Sequence, residues 1–258
     1  MVFLPRRSLI TGASSGIGAG FARALAARGS DVVLVARRAD RLEALASELT
    51  AANGIRAEVL ARDLAEPGAG RWLRDVIEGE VDVVVNNAGF GTHGALIATD
   101  AERLEREIDL DVRALVDVTR AFLPAMVAAR RGAIVNIAST ASYQPIPGMA
   151  VYGASKTFVR TFSEAVWHEA RAHGVKVMAL SPGATRTDFF SVAGIEDPSV
   201  GGFQAVEQVV ATGLAALDRR RTPPSVVSGR ANAAVAALTR FIPTRLMAGM
   251  AARIVARW

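Results

Sequence analysis

Along most of its length the chain alternates short apolar, β-branched runs with longer segments of helical period, and this alternation restricts the fold more than any other feature. SLITG gives way to GIGAGFARALAARG, and DVVLVA to ADRLEALASELTAAN. The pattern continues through RAEVLA, a helix around Gly70 to Glu78, VDVVVN, a long helix from about Asp100 to Ala129, GAIVNIA, a helix from Val151 to Ala172, VKVMAL and finally PSVVSG. The strand runs are nearly all apolar instead of alternating, so both of their faces must be covered, as in a parallel sheet wrapped by helices. The expected class is therefore doubly wound α/β.

Composition agrees with one soluble, well-packed unit. The 258 residues are 51% hydrophobic and 21% charged, without an internal repeat or linker. The chain has no cysteine, which excludes disulfides and thiolate metal sites, and the scattered His93, His168 and His173 lack zinc-site spacing, so no metal is expected. The N-terminal apolar run is too short for a signal peptide and no run approaches the roughly 20 residues of a membrane span, making the cytosol the expected compartment. The net charge of +5 comes from the end of the chain, where residues 219–258 hold eight arginines and no acid. A basic tail on an otherwise slightly acidic body argues against a nucleic-acid binder.

Three local features carry chemistry. In TGASSGIG the first strand runs into a loop whose glycines, Gly12, Gly16 and Gly18, let the backbone turn tightly before a helix opens. Bare amides around Ser14, Ser15 and Ile17, with the positive end of the helix, suit a pyrophosphate. About 20 residues on, the second strand ends in Ala36, Arg37 and Arg38, where a fold preferring NAD places an acid for the ribose 2′-hydroxyl. Arginine there suits a 2′-phosphate, with Arg37 as the main contact and Arg38 as helper, so NADP(H) is expected over NAD(H). Third, VYGASK sets Tyr152 four residues before Lys156. The chain has two tyrosines and, among 30 basic residues, two lysines, Lys156 and Lys176. On a helix the pair shares a face, and a neighbouring ammonium favours phenolate, lowering the tyrosine pKa towards neutrality for acid/base work.

In order and spacing, TGASSGIG, NNAG at Asn86–Gly89, Ser139, the Tyr152 and Lys156 pair, and SPG at Ser181–Gly183 resemble the short-chain dehydrogenase/reductase family over roughly residues 6–227. The resemblance implies a single-domain, Rossmann-type oxidoreductase with a seven-stranded parallel sheet and helices on both faces. It implies that Ser139 orients the substrate carbonyl, that Tyr152 is the acid/base, and that Lys156 also bonds the nicotinamide ribose. It places Asp63 and Leu64 beside the adenine, with Asp63 accepting from its amino group, and Asn87, Ala88 and Gly89 along the cofactor. Pro182 and Gly183 would shape the nicotinamide wall, with the hydroxyls of Thr185 and Thr187 either binding the carboxamide or pyrophosphate or capping the next helix. One position departs from the pattern: Asp111 stands where the family has an asparagine whose carbonyl holds a relay water. It either holds Lys156 charged and blunts its effect on Tyr152, or turns away.

The segments TASYQPIPGMA and Asp188 to Phe203 are expected to build the substrate pocket, with Tyr143, Met149, Phe189, Phe190 and Val192 as its lining. That apolar, aromatic set suits a hydrophobic ketone, aldehyde or alcohol. Residues 1–228 thus read as the dinucleotide-binding unit, with a substrate loop at about 184–203, and residues 229–258 as a basic amphipathic helical extension interrupted at Pro243. The extension either packs on the protein, the reading preferred here, or lies on an anionic membrane surface. The resemblance further implies a homodimer or homotetramer, paired through the helices that hold Asp111 and Tyr152. The expected function is NADP(H)-dependent interconversion of a hydrophobic carbonyl and its alcohol. The alternative is a dinucleotide-binding regulatory or scaffold protein of weak or no turnover.

Overall fold

The computed structural model describes residues 2–195 and 202–255, with side chains to residue 252. Each apolar run becomes a strand: β1 (Arg7–Thr11), β2 (Asp31–Ala36), β3 (Ala57–Ala61), β4 (Val83–Asn86), β5 (Ala133–Ile137), β6 (Lys176–Ser181) and β7 (Ser225–Val227). All pair in parallel, in the order β3-β2-β1-β4-β5-β6-β7. Between them run α1 (Gly16–Ala26), α2 (Ala39–Asn53), α3 (Ala69–Val76), α4 (Ala101–Ile108), α5 (Leu115–Ala129), α6 (Ala150–Ala170), α7 (Phe189–Ala193) and α8 (Val206–Leu217). Then α9 (Arg230–Thr239) and α10 (Thr244–Val255) follow β7.

Neighbouring strand residues feed opposite layers, as the pleat requires. Ile10, Leu34, Val85 and Val135 pack under α1, α2 and α8, whereas Leu9, Val33, Val84 and Ile134 pack under α3, α5 and α6. This two-sided burial explains why the strands are apolar throughout. The order reverses at β1, whose neighbours are β2 and β4, so the loops after β1 and β4 leave in opposite directions and open a crevice at the carboxyl edge. Asp100 starts α4 by accepting a hydrogen bond from the Arg103 N–H at 3.1 Å, and α2 stops at left-handed Gly54.

The long helix expected over Asp100–Ala129 is not uniform. A π-helical turn over Asp109–Ala114 separates α4 from α5. The wider turn takes up an extra residue within an otherwise α-helical rod. Asp111 lies within it and is buried.

Candidate active site

The crevice is a cleft of about 510 Å³, bordered by the loops that follow β1, β2, β3, β4, β5 and β6. At one arm lies the glycine loop. Gly12 has a left-handed backbone, φ 64°, and a side chain there would come within 2.7 Å of the Asn87 amide. Asn87 clasps the loop by donating to the carbonyls of Thr11 and Gly12, both at 3.1 Å. No side chain caps α1 and no acid stands in its first turn. The amide end of that helix therefore faces the cleft with its positive potential uncancelled, beside Ser14, Ser15, Gly16 and Ile17. These features fit the diphosphate of a dinucleotide. Gly18 sits behind the loop and not on its open face, because a side chain there would meet the Gly12 carbonyl oxygen at 2.3 Å.

The far arm is rich in arginine. Arg38 reaches back to the loop, donating to the Ser14 hydroxyl at 3.0 Å and the Ser15 hydroxyl at 2.8 Å, and lies 3.6 Å from Asp188. Arg37 is 65% exposed and 3.9 Å from Asp63. Of the two, Arg38 is docked on the glycine loop, while Arg37, expected as the main phosphate contact, stands free towards solvent beside Asp63. Arg62, which sequence reasoning missed, also borders this arm, with its guanidinium 4.5 Å above the Trp72 ring. The Asp63 carboxylate accepts from Arg106 at 2.6 Å and from the Ala65 N–H at 3.0 Å, so the oxygens expected to meet adenine already have donors. Burial works against its charge, but those donors and the nearby arginines hold the Asp63 pKa below the ordinary value. Leu64, Ala88 and Gly89 complete this wall.

At the other end, α6 brings Tyr152 and Lys156 to one side, with Ser139 opposite on the turn after β5. The Ser139 hydroxyl lies near enough to the phenol to favour its ionised form and accepts from the Ala141 N–H at 3.1 Å. The Lys156 ammonium donates to the Ile137 carbonyl at 3.3 Å, lies 5.6 Å from the Tyr152 ring centre and forms a buried ion pair with Asp111 Oδ2 at 2.9 Å. Asp111 Oδ1 accepts from the Phe90 N–H at 3.0 Å. Of the two orientations open for Asp111, the structure adopts the one facing the lysine.

The electrostatics correct the simplest expectation for the tyrosine. Burial pushes its pKa up, and Lys156 and Ser139 only partly offset that, with Asp111 and Glu107 adding to the rise. For Lys156, burial favours the neutral amine, yet Asp111, Tyr152 and Glu107 together raise its pKa and keep it charged. Asp111 is itself raised by burial, against the pull of the ammonium.

Pro182 and Gly183 border the cleft after β6. The Thr185 hydroxyl donates to the Gly183 carbonyl at 2.9 Å, whereas the Thr187 hydroxyl accepts from the Phe189 N–H at 3.3 Å, which ties it to the start of α7. Phe189, Phe190 and Val192 face the cleft, and Phe189 packs on Tyr152 with ring centres 5.0 Å apart. Two expected lining residues do not face it. Tyr143 points elsewhere, under the Arg160 guanidinium at 4.7 Å, because that cation offers its ring a partner outside the cleft. Met149 is buried in a small core with Ala193, Ile195 and Phe189, so it supports the wall from behind. Gln144, Ile146, Phe90 and Leu110 line the cleft instead. Residues 196–201 of the expected substrate loop lie outside the described residues.

The tail forms two helices separated at Pro243. Ala251 of α10 borders the cleft, and Met247 is buried with it. Val235, Leu238, Phe241, Leu246 and Met250 remain exposed on the outside. No described helix is long and apolar enough to cross a membrane.

The chain matches the short chain dehydrogenase family over residues 6–196. A short-chain dehydrogenase from Sphingobium yanoikuyae, solved in complex with NADPH, superposes with a TM-score of 0.82 at 35% identity, covering 92% of this chain and 96% of that one. The bulky-bulky ketone specific alcohol dehydrogenase from Comamonas testosteroni gives 0.78 at 28% identity, covering 93% and 96%. A sulfoacetaldehyde reductase of Chromohalobacter salexigens is 37% identical over 217 residues, 81% of each protein. With its parallel sheet, glycine loop and Ser139, Tyr152 and Lys156 on one cleft, the chain belongs to the short-chain dehydrogenase/reductase family of oxidoreductases.

Proposed function

We propose that the protein is an NADP(H)-dependent carbonyl reductase acting on a hydrophobic ketone or aldehyde, with the reverse oxidation open to it. The observation that carries this reading is the convergence of Ser139, Tyr152 and Lys156 at one end of a cleft whose other end is the uncapped start of α1. Gly12, Ser14, Ser15, Gly16, Ile17, Asn87 and Ala88 would hold the diphosphate and its riboses. Arg38, with Arg37 and Arg62 near it, would receive a 2′-phosphate, and no acid ends β2 to repel one. The structural relative solved with NADPH supports this choice.

A bound nicotinamide supplies or accepts the hydride. The chain's own residues manage the oxygen. Ser139 donates a hydrogen bond to the carbonyl oxygen and Tyr152 gives that oxygen its proton, while Lys156, held charged by Asp111, stabilises the phenolate left behind. Because burial raises the tyrosine pKa, the resting phenol is protonated, which suits the acid role and favours reduction. Phe189, Phe190, Ile146 and Val192 exclude water around an apolar substrate. Such a lining suits the bulky ketones in the name of the Comamonas relative better than the small anion in the name of the Chromohalobacter one.

NADPH oxidation followed at 340 nm across a panel of aromatic and aliphatic carbonyls tests the reading. Turnover that Tyr152→Phe lowers by about 10²–10⁴-fold is the expected result. Tight NADPH binding without turnover on any carbonyl would instead favour a dinucleotide-binding scaffold. We also infer pairing of two copies through the face where Ile108 and Phe158 stay exposed, with Phe158 stacked on Phe162. Sedimentation of Phe158→Glu should then show a smaller species than the parent chain.

A further inference from the structure

One turn before Asp111, a second acid enters the same interior. Glu107 is fully buried, and neither of its carboxylate oxygens has a hydrogen-bonded partner. The groups that act on it come from every side: Asp111 from the π-helical turn, Lys156 and Tyr152 from α6, Arg103 from its own helix and the Thr92 hydroxyl from the loop after β4. Thr92 is near enough to favour the charged carboxylate without completing a hydrogen bond to it. Nothing in the reaction just described uses this residue.

Its surroundings lead out of the protein. A second, open cleft of about 380 Å³ is lined by Thr92, Arg103, Asp100 and Thr99, and it shares Val192 with the main cleft. Arg103 donates to the Thr92 hydroxyl at 3.2 Å and to the Val192 carbonyl at 2.6 Å. Glu107 is thus acted on from one side by Thr92 and Arg103, which line this cleft, and from the other by the Asp111–Lys156 ion pair. Asp111, in the π-helical turn that follows α4, lies close enough to act on the Glu107 charge.

We propose that Glu107 is the proton port of the active site, passing protons between the second cleft and Lys156 through Asp111 and so restoring Tyr152 after each turnover. This rests on the reductase reading above. After Tyr152 gives its proton to the substrate oxygen, the phenolate takes one from the Lys156 ammonium. The resulting amine is recharged through the Asp111 carboxylate, which takes the Glu107 proton and hands that same proton to the amine at Oδ2, returning to its ionised form. Glu107 is then reprotonated by water in the second cleft, past Thr92. One proton moves from solvent to product per hydride transferred, and no group changes oxidation state beyond that transfer. Burial, with Asp111 adding to it, raises the Glu107 pKa to about 7, so the port holds its proton below neutrality and releases it above.

The test compares the parent chain with Glu107→Gln in NADPH-dependent reduction of the best ketone of the panel, over a pH series in H₂O and D₂O. The parent kcat should fall as pH rises through about 7. Glu107→Gln should lose that ionisation, lower kcat roughly tenfold, less than loss of a direct acid/base group, and raise the solvent isotope effect with NADPH affinity unchanged. Thr92→Val should slow turnover in the same direction. An unaltered pH profile and isotope effect would overturn the proposal while leaving the reductase reading intact, and so would loss of NADPH affinity in parallel with kcat, which marks a structural role. Infrared difference spectra provide a readout that needs no turnover. A protonated-carboxyl band that titrates near neutrality and vanishes in Glu107→Gln is expected, and its absence from the parent chain would sink the proposal even if the ketone is reduced.

Discussion

Lys156 is the residue on which the site balances. Its ammonium meets the Ile137 carbonyl, the Asp111 carboxylate and the ring of Tyr152 while the residue is nearly buried on the wall of the cleft. An amide at position 111 would keep the bond from the Phe90 N–H but remove the anion, so Asp111→Asn should lower the lysine pKa. Its kcat profile should then lose activity at a lower alkaline pH than the parent, as read from kcat against pH. At the cofactor arm, Arg38→Ala should weaken NADPH by about ten- to a hundredfold and leave NADH nearly untouched, as a fluorescence titration would show, because a charge-assisted bond is worth about 1.5–3 kcal/mol. Glu107 adds a stability signature. A carboxyl whose pKa rises on folding holds its proton more tightly in the folded state, so its contribution is whole below the unfolded value of 4.5 and is lost as pH rises through about 7. Glu107→Gln should therefore melt a few degrees above the parent at pH 8 and converge with it near pH 5 in a thermal scan. Legibility at this scale is uneven. Tyr152 and Lys156 stand out because both types are scarce, whereas Glu107 is one acid among several in AERLEREIDLD, and no local signal marks the one that turns inward. Tyr143 was equally opaque, since its partner Arg160 becomes a neighbour only through tertiary packing.

The elements were readable to within a few residues, since apolar runs of five or six and helical periods of eight or more leave little ambiguity. What the pattern could not reveal is the π-helical turn, because one added residue scarcely disturbs a hydrophobic period while it rotates the side chains after it. The meeting of the glycine loop with its helix is similarly a matter of contact distance. Gly18→Ala would press a methyl onto the Gly12 carbonyl and the Asn87 side-chain amide, which is itself held by its bonds to the Thr11 and Gly12 carbonyls. A loss of about 1–3 kcal/mol is expected, seen as a lower denaturation midpoint, along with weakened dinucleotide binding. Asn86, buried on β4, donates to Asn136 on β5 at 2.8 Å and to Thr119 at 3.1 Å, so the NNAG segment braces strands and helix as well as bordering the cleft.

For the molecule as a whole, strand order is what makes a cleft: the reversal at β1 parts the loops, and the loops after β1 to β6 border it together with α6 and α10. That architecture follows from the alternation of apolar runs and helices, but the role of the tail does not, since an amphipathic basic helix suits a protein surface or a lipid surface equally. The fold places Ala251 on the cleft and Met247 in the interior, leaving other apolar side chains of the tail outside. A chain ending at Ile242 should accordingly keep its NADPH affinity, since the dinucleotide arm is built from earlier loops, and show a raised KM for hydrophobic ketones in steady-state assays. α10 comes after the whole sheet in the chain and touches the cleft at Ala251, so one wall of the opening is laid over loops that the sheet anchors without its help.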